Sequence, residues 1–202
     1  MTVSLEEVLE RSKALGFLGP GEIEPQIIHA RAWLEVLEQE VRVLDLGSGG
    51  GLPGLVLAHD RPDLALTLLD SQVKRCNFLA AAVGWLDRPE VQVVCGRAET
   101  LAHEPGLRAT FDVVVARSFG APAVTAECGV GFLRLGGTLW VSEPPDAERE
   151  SRWPSTGLAE LGLELGATST TGMVHLQALR ASSLCSQRFP RVVGRPSKRP
   201  LF

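Results

Sequence analysis

Residues 41–54 read Val-Arg-Val-Leu-Asp-Leu-Gly-Ser-Gly-Gly-Gly-Leu-Pro-Gly, an apolar run that breaks abruptly into glycine. Val41–Leu46 has the length and composition of a buried strand, with Asp45 near its end. Glycines at 47, 49 and 51 let the backbone turn sharply and approach a ligand with no Cβ in the way. Pro53 is well tolerated in the first turn of a following helix. A strand, a tight glycine turn and a helix, in that order, open a βαβ unit. That restricts the chain to folds built on a parallel sheet.

The pattern downstream repeats the alternation. Ala65–Asp70, Val91–Cys95, Phe111–Ala116 and Gly137–Ser142 are short apolar strands. Helices are predicted from Pro53, over Gln72–Gly84 and over Ala121–Leu133, with a short one near 155–162. Two late strands, about 163–169 and 173–180, lie too close together for a parallel crossover and predict an antiparallel hairpin. Upstream, residues 3–15 and roughly 26–40 read as amphipathic helices around a Gly/Pro-rich turn. The expectation is a doubly wound α/β fold with a mostly parallel seven-stranded sheet and an antiparallel C-terminal hairpin. Right-handed crossovers would gather the loops after the strands on one edge, where such sheets bind ligands. Three segments follow: a short helical extension (1–40), the α/β domain (41–183) and a basic tail (184–202).

Two ligand readings fit the glycine loop. Gly49-x-Gly51-x-x-Gly54 matches a dinucleotide-binding fingerprint. Asp45-x-Gly47-x-Gly49-x-Gly51 matches the first motif of class I S-adenosylmethionine (SAM) methyltransferases. The acid before the glycines favours the second, because SAM carries a cationic ammonium and sulfonium, whereas a pyrophosphate is repelled by a carboxylate. Asp70 closes the second strand, where an acid binds ribose hydroxyls in either family; capping the helix at 72 is its alternative role. Gly96-Arg97-Ala98-Glu99 follows the third strand, where a methyltransferase fold holds adenine; a plain tight turn is the alternative. Arg117 follows the fourth strand, in reach of a SAM carboxylate or a phosphate.

Charge is distributed unevenly although the net value is −4. The first forty residues carry eight acids, whereas no acid follows Ala181 and Arg188, Arg191, Arg195, Lys198 and Arg199 do. A basic tail on an acidic chain suits an anionic partner; a solvated, disordered tail is the other reading. The four cysteines and four histidines are scattered, which predicts reduced thiols and no metal site. No apolar run reaches the ~18 residues of a membrane span, and the acidic amphipathic N-terminus lacks the features of a secretory signal. The expected location is cytoplasmic, with no membrane partner and a monomeric state.

In order along the chain, LDLGSGGGLPG, LTLLDSQVKRCNFL, GRAE, FDVVVARSF and FPRVVGRPSKRPL resemble the RsmG (GidB) family of 16S ribosomal RNA guanine-N7 methyltransferases. The resemblance implies SAM as cofactor and 16S rRNA or the small ribosomal subunit as partner. It implies that Gly47 and Leu52 line the SAM pocket, that Ala98 and Glu99 flank the adenosine, and that Arg117 stands in the reaction region. Lys74 and Arg75 match a basic pair where rRNA phosphates dock; Arg191 and Lys198 in the tail are further candidates. There are departures: His29 matches a family histidine, but Ala32-Trp33 stands where the family has Asp-Ser. The N-terminal region lacks the family's Asn-Leu-Thr stretch, and Ser142-Glu143-Pro144-Pro145 replaces its Leu-Lys-Gly after the fifth strand.

Guanine N7 offers a lone pair and carries no proton, so no general base is needed, and none is assigned. Phe119 and Trp140 are candidates to stack a splayed base, or are core residues. Competing readings are a SAM enzyme with a small-molecule or protein acceptor, a dinucleotide-dependent oxidoreductase, and a non-catalytic RNA-binding protein on a relict SAM fold. The second of these needs a hydride-transfer acid or base that the sequence does not offer.

Overall fold

The computed structural model describes residues 3–145 and 148–202. They form two compact units, Met1–Gly96 and Arg97–Phe202.

In the first unit, α1 (Leu5–Ala14) begins with a capping box: Ser4 Oγ accepts from Glu7 N, and the Glu7 carboxylate accepts from Ser4 N. This satisfies two amides that a helix start leaves open. α2 (Ile23–Arg31) runs into a 3-10 turn at Ala32–Val36, so the helix expected over 26–40 starts earlier and ends earlier. Trp33 is fully buried in that turn. Then come β1 (Arg42–Leu46), α3 (Gly54–Asp60), β2 (Ala65–Asp70), α4 (Val73–Trp85) and β3 (Gln92–Cys95). The strands are parallel in the order β3-β2-β1. Val43–Leu46 and Leu66–Asp70 are buried without interruption, the pattern of strands covered on both faces. Register places Asp45 beside Leu68 and Asp70 beside Cys95.

The second unit contains α5 (Ala98–Leu101), β4 (Phe111–Ala116), α6 (Pro122–Val130), β5 (Leu133–Glu143), α7 (Arg149–Arg152), α8 (Ser155–Leu161), β6 (Leu163–Thr171), β7 (Val174–Ala181) and α9 (Arg195–Lys198). β4 and β5 are parallel; β7 is antiparallel to both β5 and β6, in the order β4-β5-β7-β6. β5 begins four residues before the expected Gly137, because α6 stops at Val130 and the strand continues through Gly136 at φ +77°. Phe111 and Phe132 meet edge-to-face at 6.2 Å in this unit's core, with Trp153 and Phe189 also buried.

The seven strands are those of the expected mixed sheet, mostly parallel with antiparallel C-terminal strands. Among the described residues no helix is long and apolar enough to cross a membrane. No cluster of three or more His, Cys, Asp or Glu side chains suited to a metal is found among them.

Candidate functional site

The turn between β1 and α3 is built from the backbone outward. Gly47 N and Ser48 N both donate to the Leu69 carbonyl, at 2.8 and 2.9 Å, and Gly51 N donates to Ser48 O at 2.7 Å. Gly47, Gly49 and Gly51 have φ of +75°, +55° and +103°, a region that favours glycine. Asp45, 1% exposed, accepts from Gly54 N at 3.0 Å. Gly54 has to be glycine, since a Cβ there would collide with that carboxylate and with Leu68. The turn is braced from outside by α1, whose Ser12 Oγ donates to Gly50 O at 2.7 Å. A Cβ on Gly50 would lie 2.7 Å from Phe17 O. Leu52 is buried, 7% exposed.

Asp70, also buried, receives two backbone donors: Gly49 N at 2.9 Å on Oδ2 and Gln72 N at 2.8 Å on Oδ1. The acid therefore locks the glycine turn and caps the start of α4 at once. Arg75 Nη1 lies 3.7 Å from Asp70 Oδ2, and a Cβ on Gly49 would come within 4.0 Å of the same nitrogen. Of the basic pair, Lys74 faces solvent, whereas Arg75 leans over the glycine turn. Two buried carboxylates around a turn of small residues fit SAM: one can meet its ammonium, the other its ribose hydroxyls.

In the second unit, Ala98 is buried at the start of α5. The Glu99 carboxylate turns inward, 2.8 and 3.2 Å from Arg97 Nη2 and Nε and 3.1 Å from Gly194 N. Burial alone would raise the Glu99 pKa, but the Arg97 guanidinium and the Gly194 amide outweigh it and hold it below the usual carboxylate range. A depressed folded pKa contributes stability above the unfolded value and loses it as pH falls through the folded one. Acid unfolding is therefore expected to weaken in Glu99→Gln, measured as a flatter dependence of denaturant midpoint on pH below the carboxylate range. Arg117, half-buried, follows the last residue of β4, and Ser118 at φ +53° turns the chain away from the strand end. Phe119 is half-buried there, and so is Trp140 within β5.

The basic tail is folded. Arg108 donates to four carbonyls, of Ala102, Phe189, Cys185 and Ser186, at 2.9–3.0 Å. Arg191 donates to Glu127 from N, Nε and Nη2, at 2.8, 2.8 and 2.6 Å, and to Arg199 O at 2.8 Å. Glu127 is fully buried in α6, so the guanidinium expected among the phosphate ligands neutralises an internal carboxylate instead. Arg188 pairs with Glu160 at 3.0 Å, whereas Arg195, Lys198 and Arg199 are exposed. Phe202 packs on Trp153 at 6.5 Å and over Gly157. Through Gly194 the tail reaches the loop bearing Glu99.

In the divergent segment, Ser142 and Glu143 close β5 and are half-buried, whereas Pro144 and Pro145 are exposed. Glu143 accepts from Arg152 Nε at 2.6 Å and Trp153 Nε1 at 2.9 Å, so its charge is used to dock α7. Sequence reasoning missed Ser12, Arg108 and Glu127. Glu127 alone left a signal, a single acid in the apolar stretch Pro122–Val130.

Solved structures share this fold. The antibiotic-resistance methyltransferase Kmr matches with a TM-score of 0.56 and 15% identity, over 76% of this chain and 93% of its own. A TehB-like SAM-dependent methyltransferase from Corynebacterium glutamicum matches with a TM-score of 0.54 and 18% identity, over 77% and 87%. These likenesses show that the chain has the class I methyltransferase fold. The family model for rRNA small subunit methyltransferase G (GidB) matches residues 19–152. Ribosomal RNA small subunit methyltransferase G of Leuconostoc mesenteroides is 34% identical over 80% of this chain and 70% of its own length. The Deinococcus deserti protein of the same name is 35% identical over 82% and 70%, and that of Synechococcus 34% over 84% and 74%. The chain belongs to the rRNA small subunit methyltransferase G family.

Proposed function

We propose that this protein transfers the methyl group of SAM to N7 of a guanine in 16S rRNA, in the cytoplasm. The observation that carries the reading is the likeness to rRNA small subunit methyltransferase G over four-fifths of the chain, which spans the glycine turn and both candidate cofactor acids. When bound, SAM supplies an electrophilic methyl on a sulfonium. Asp45 and the turn at Gly47, Gly49 and Gly51, with Leu52 beneath, hold its amino-acid end; Asp70 holds the ribose. Ala98 and the backbone around Glu99 border the adenine, and Arg117 stands at the reacting edge. Because guanine N7 presents a lone pair and no proton, no side chain has to act as base. The protein's contribution is alignment and exclusion of water.

Phosphate docking falls to side chains that are exposed and basic: Lys74 on α4, and Lys198 with Arg195 and Arg199 around α9. Arg75 and Arg191 support the site from inside through Asp70 and Glu127. Lys74→Ala and Lys198→Ala are each expected to reduce the slope of log affinity for 16S rRNA against log salt by about one. Transfer of labelled methyl from SAM tests the acceptor: label is expected in small-subunit rRNA. Label recovered only in protein or a small molecule assigns a different substrate. RNA binding without any transfer assigns a relict SAM fold.

A further inference from the structure

We propose that Cys76 and Cys95 form an oxidisable thiol pair whose disulfide distorts the ribose side of the cofactor site. The proposal rests on Asp70 as the ribose acid. Cys95 ends β3 in register with Asp70 at the end of β2. Cys76 lies in the first turn of α4, and its Sγ donates to the Asp70 carbonyl at 3.2 Å. Gly96 N, next in chain to Cys95, donates to the same oxygen at 2.9 Å. The two cysteines thus converge on the main chain of one residue, Cys76 through its thiol and Cys95 through its strand register and the following amide.

Their surroundings differ in a useful way. Cys95 is exposed and Cys76 is 5% exposed. Burial, with Cys95 beside it, pushes the Cys76 thiol up to about 12. Cys76 therefore stays protonated, and Cys95 is the thiol that meets an oxidant. With hydrogen peroxide, the Cys95 sulfur attacks one oxygen and the O–O bond breaks. Cys95 becomes a sulfenic acid, and its thiol proton leaves with the second oxygen as water. Cys76 sulfur then attacks the Cys95 sulfur; an S–S bond forms, the S–O bond breaks, and the departing hydroxide takes the Cys76 proton as a second water. Two thiols are oxidised and one peroxide is reduced. Intracellular disulfides of this kind are transient sensors rather than structural braces.

A disulfide holds its sulfurs at about 2 Å, closer than two thiols in contact, and leaves Cys76 no proton for the Asp70 carbonyl. The first turn of α4 is drawn toward the end of β3. Gln72 N, which holds Asp70 Oδ1 at 2.8 Å, moves with that turn, and the carboxylate loses its set orientation.

The test begins with reduced protein, titrated with SAM, treated with hydrogen peroxide, mapped by mass spectrometry and titrated again. The expected result is loss of two hydrogens, a peptide joining Cys76 to Cys95, and SAM affinity weakened about tenfold, a typical coupling between sites, with recovery in dithiothreitol. SAM is expected to slow alkylation of Cys95, and Cys95→Ser to bind SAM normally before and after peroxide. Absence of the cross-linked peptide overturns the proposal, as does a cross-link that leaves SAM affinity unchanged. Failure of the reduced protein to bind SAM overturns both this proposal and the cofactor reading, and is seen before any oxidant is added.

Discussion

Arg191→Met is expected to lower the unfolding free energy by about 3–5 kcal/mol, the range for leaving a buried charge without its partner. Glu127 has no solvent exposure, and the Arg191 side chain places Nε and Nη2 on separate carboxylate oxygens. Methionine keeps much of the stem volume but removes both charge-assisted bonds, and the amide of residue 191 alone remains to donate. The bond from Nη2 to Arg199 O, which closes the tail around α9, is lost as well. Lysine is expected to recover part of the deficit, since it restores charge without the planar fork. Arg191→Met combined with Glu127→Met is expected to be more stable than Arg191→Met alone, because no orphaned charge is left. Urea unfolding of the four proteins gives the comparison. A loss under about 1 kcal/mol, the scale of a surface pair, contradicts the role given to this ion pair.

Asp70→Ala is expected to weaken SAM binding about thirtyfold to hundredfold, the equivalent of losing about 2–3 kcal/mol of hydrogen bonding to a charged group. Two effects act together. The proposed acceptor for the ribose hydroxyls disappears, and Gly49 N and Gln72 N lose the oxygens that hold them at 2.9 and 2.8 Å. Asp70→Asn separates the two, because the amide oxygen still accepts one of those bonds while the charge is gone. It is expected to fall between wild type and Asp70→Ala. Calorimetric titration reads both, and an unchanged SAM affinity in Asp70→Ala removes this residue from the cofactor site.

The parts of the site that were legible in the sequence are those specified locally. The turn at Gly47–Gly51 needs positive φ values, and residues that tolerate them are visible as letters. Asp45 and Asp70 stand out as candidates in the sequence because each lies at or next to the end of a short apolar run, and a strand end is where a parallel sheet holds ligands. Elements bounded by proline or glycine signals, such as α6 starting at Pro122 and the β6–β7 hairpin around Gly172, were also recoverable. The start of β5 was not, because Leu133 extends an apolar helical pattern just as well as it begins a strand. Only pairing with Phe111 decides between them.

The destination of each charge was the least legible. Arg191 and Lys198 look alike in the tail, yet one meets a carboxylate 64 positions earlier in the chain and the other faces solvent. Arg75 and Lys74 adjoin in sequence, yet helical rotation sends one toward Asp70 and the other outward. Glu143 departs from the family pattern as an added negative charge, and the fold consumes it against Arg152 and Trp153. In each case a long-range partner, absent from any local window, decides whether the charge is used inside the fold or left at the surface.

Small ribosomal subunits from cells unable to make the native modification, incubated with this protein and SAM, provide the most direct measurement. Nucleosides from the recovered 16S rRNA are then separated and identified by mass spectrometry. New 7-methylguanosine is expected, formed only when SAM is present and reduced in Asp70→Ala. Methylation at an exocyclic nitrogen or a ribose oxygen, or RNA left unmethylated by a folded, SAM-binding protein, would contradict the proposed function.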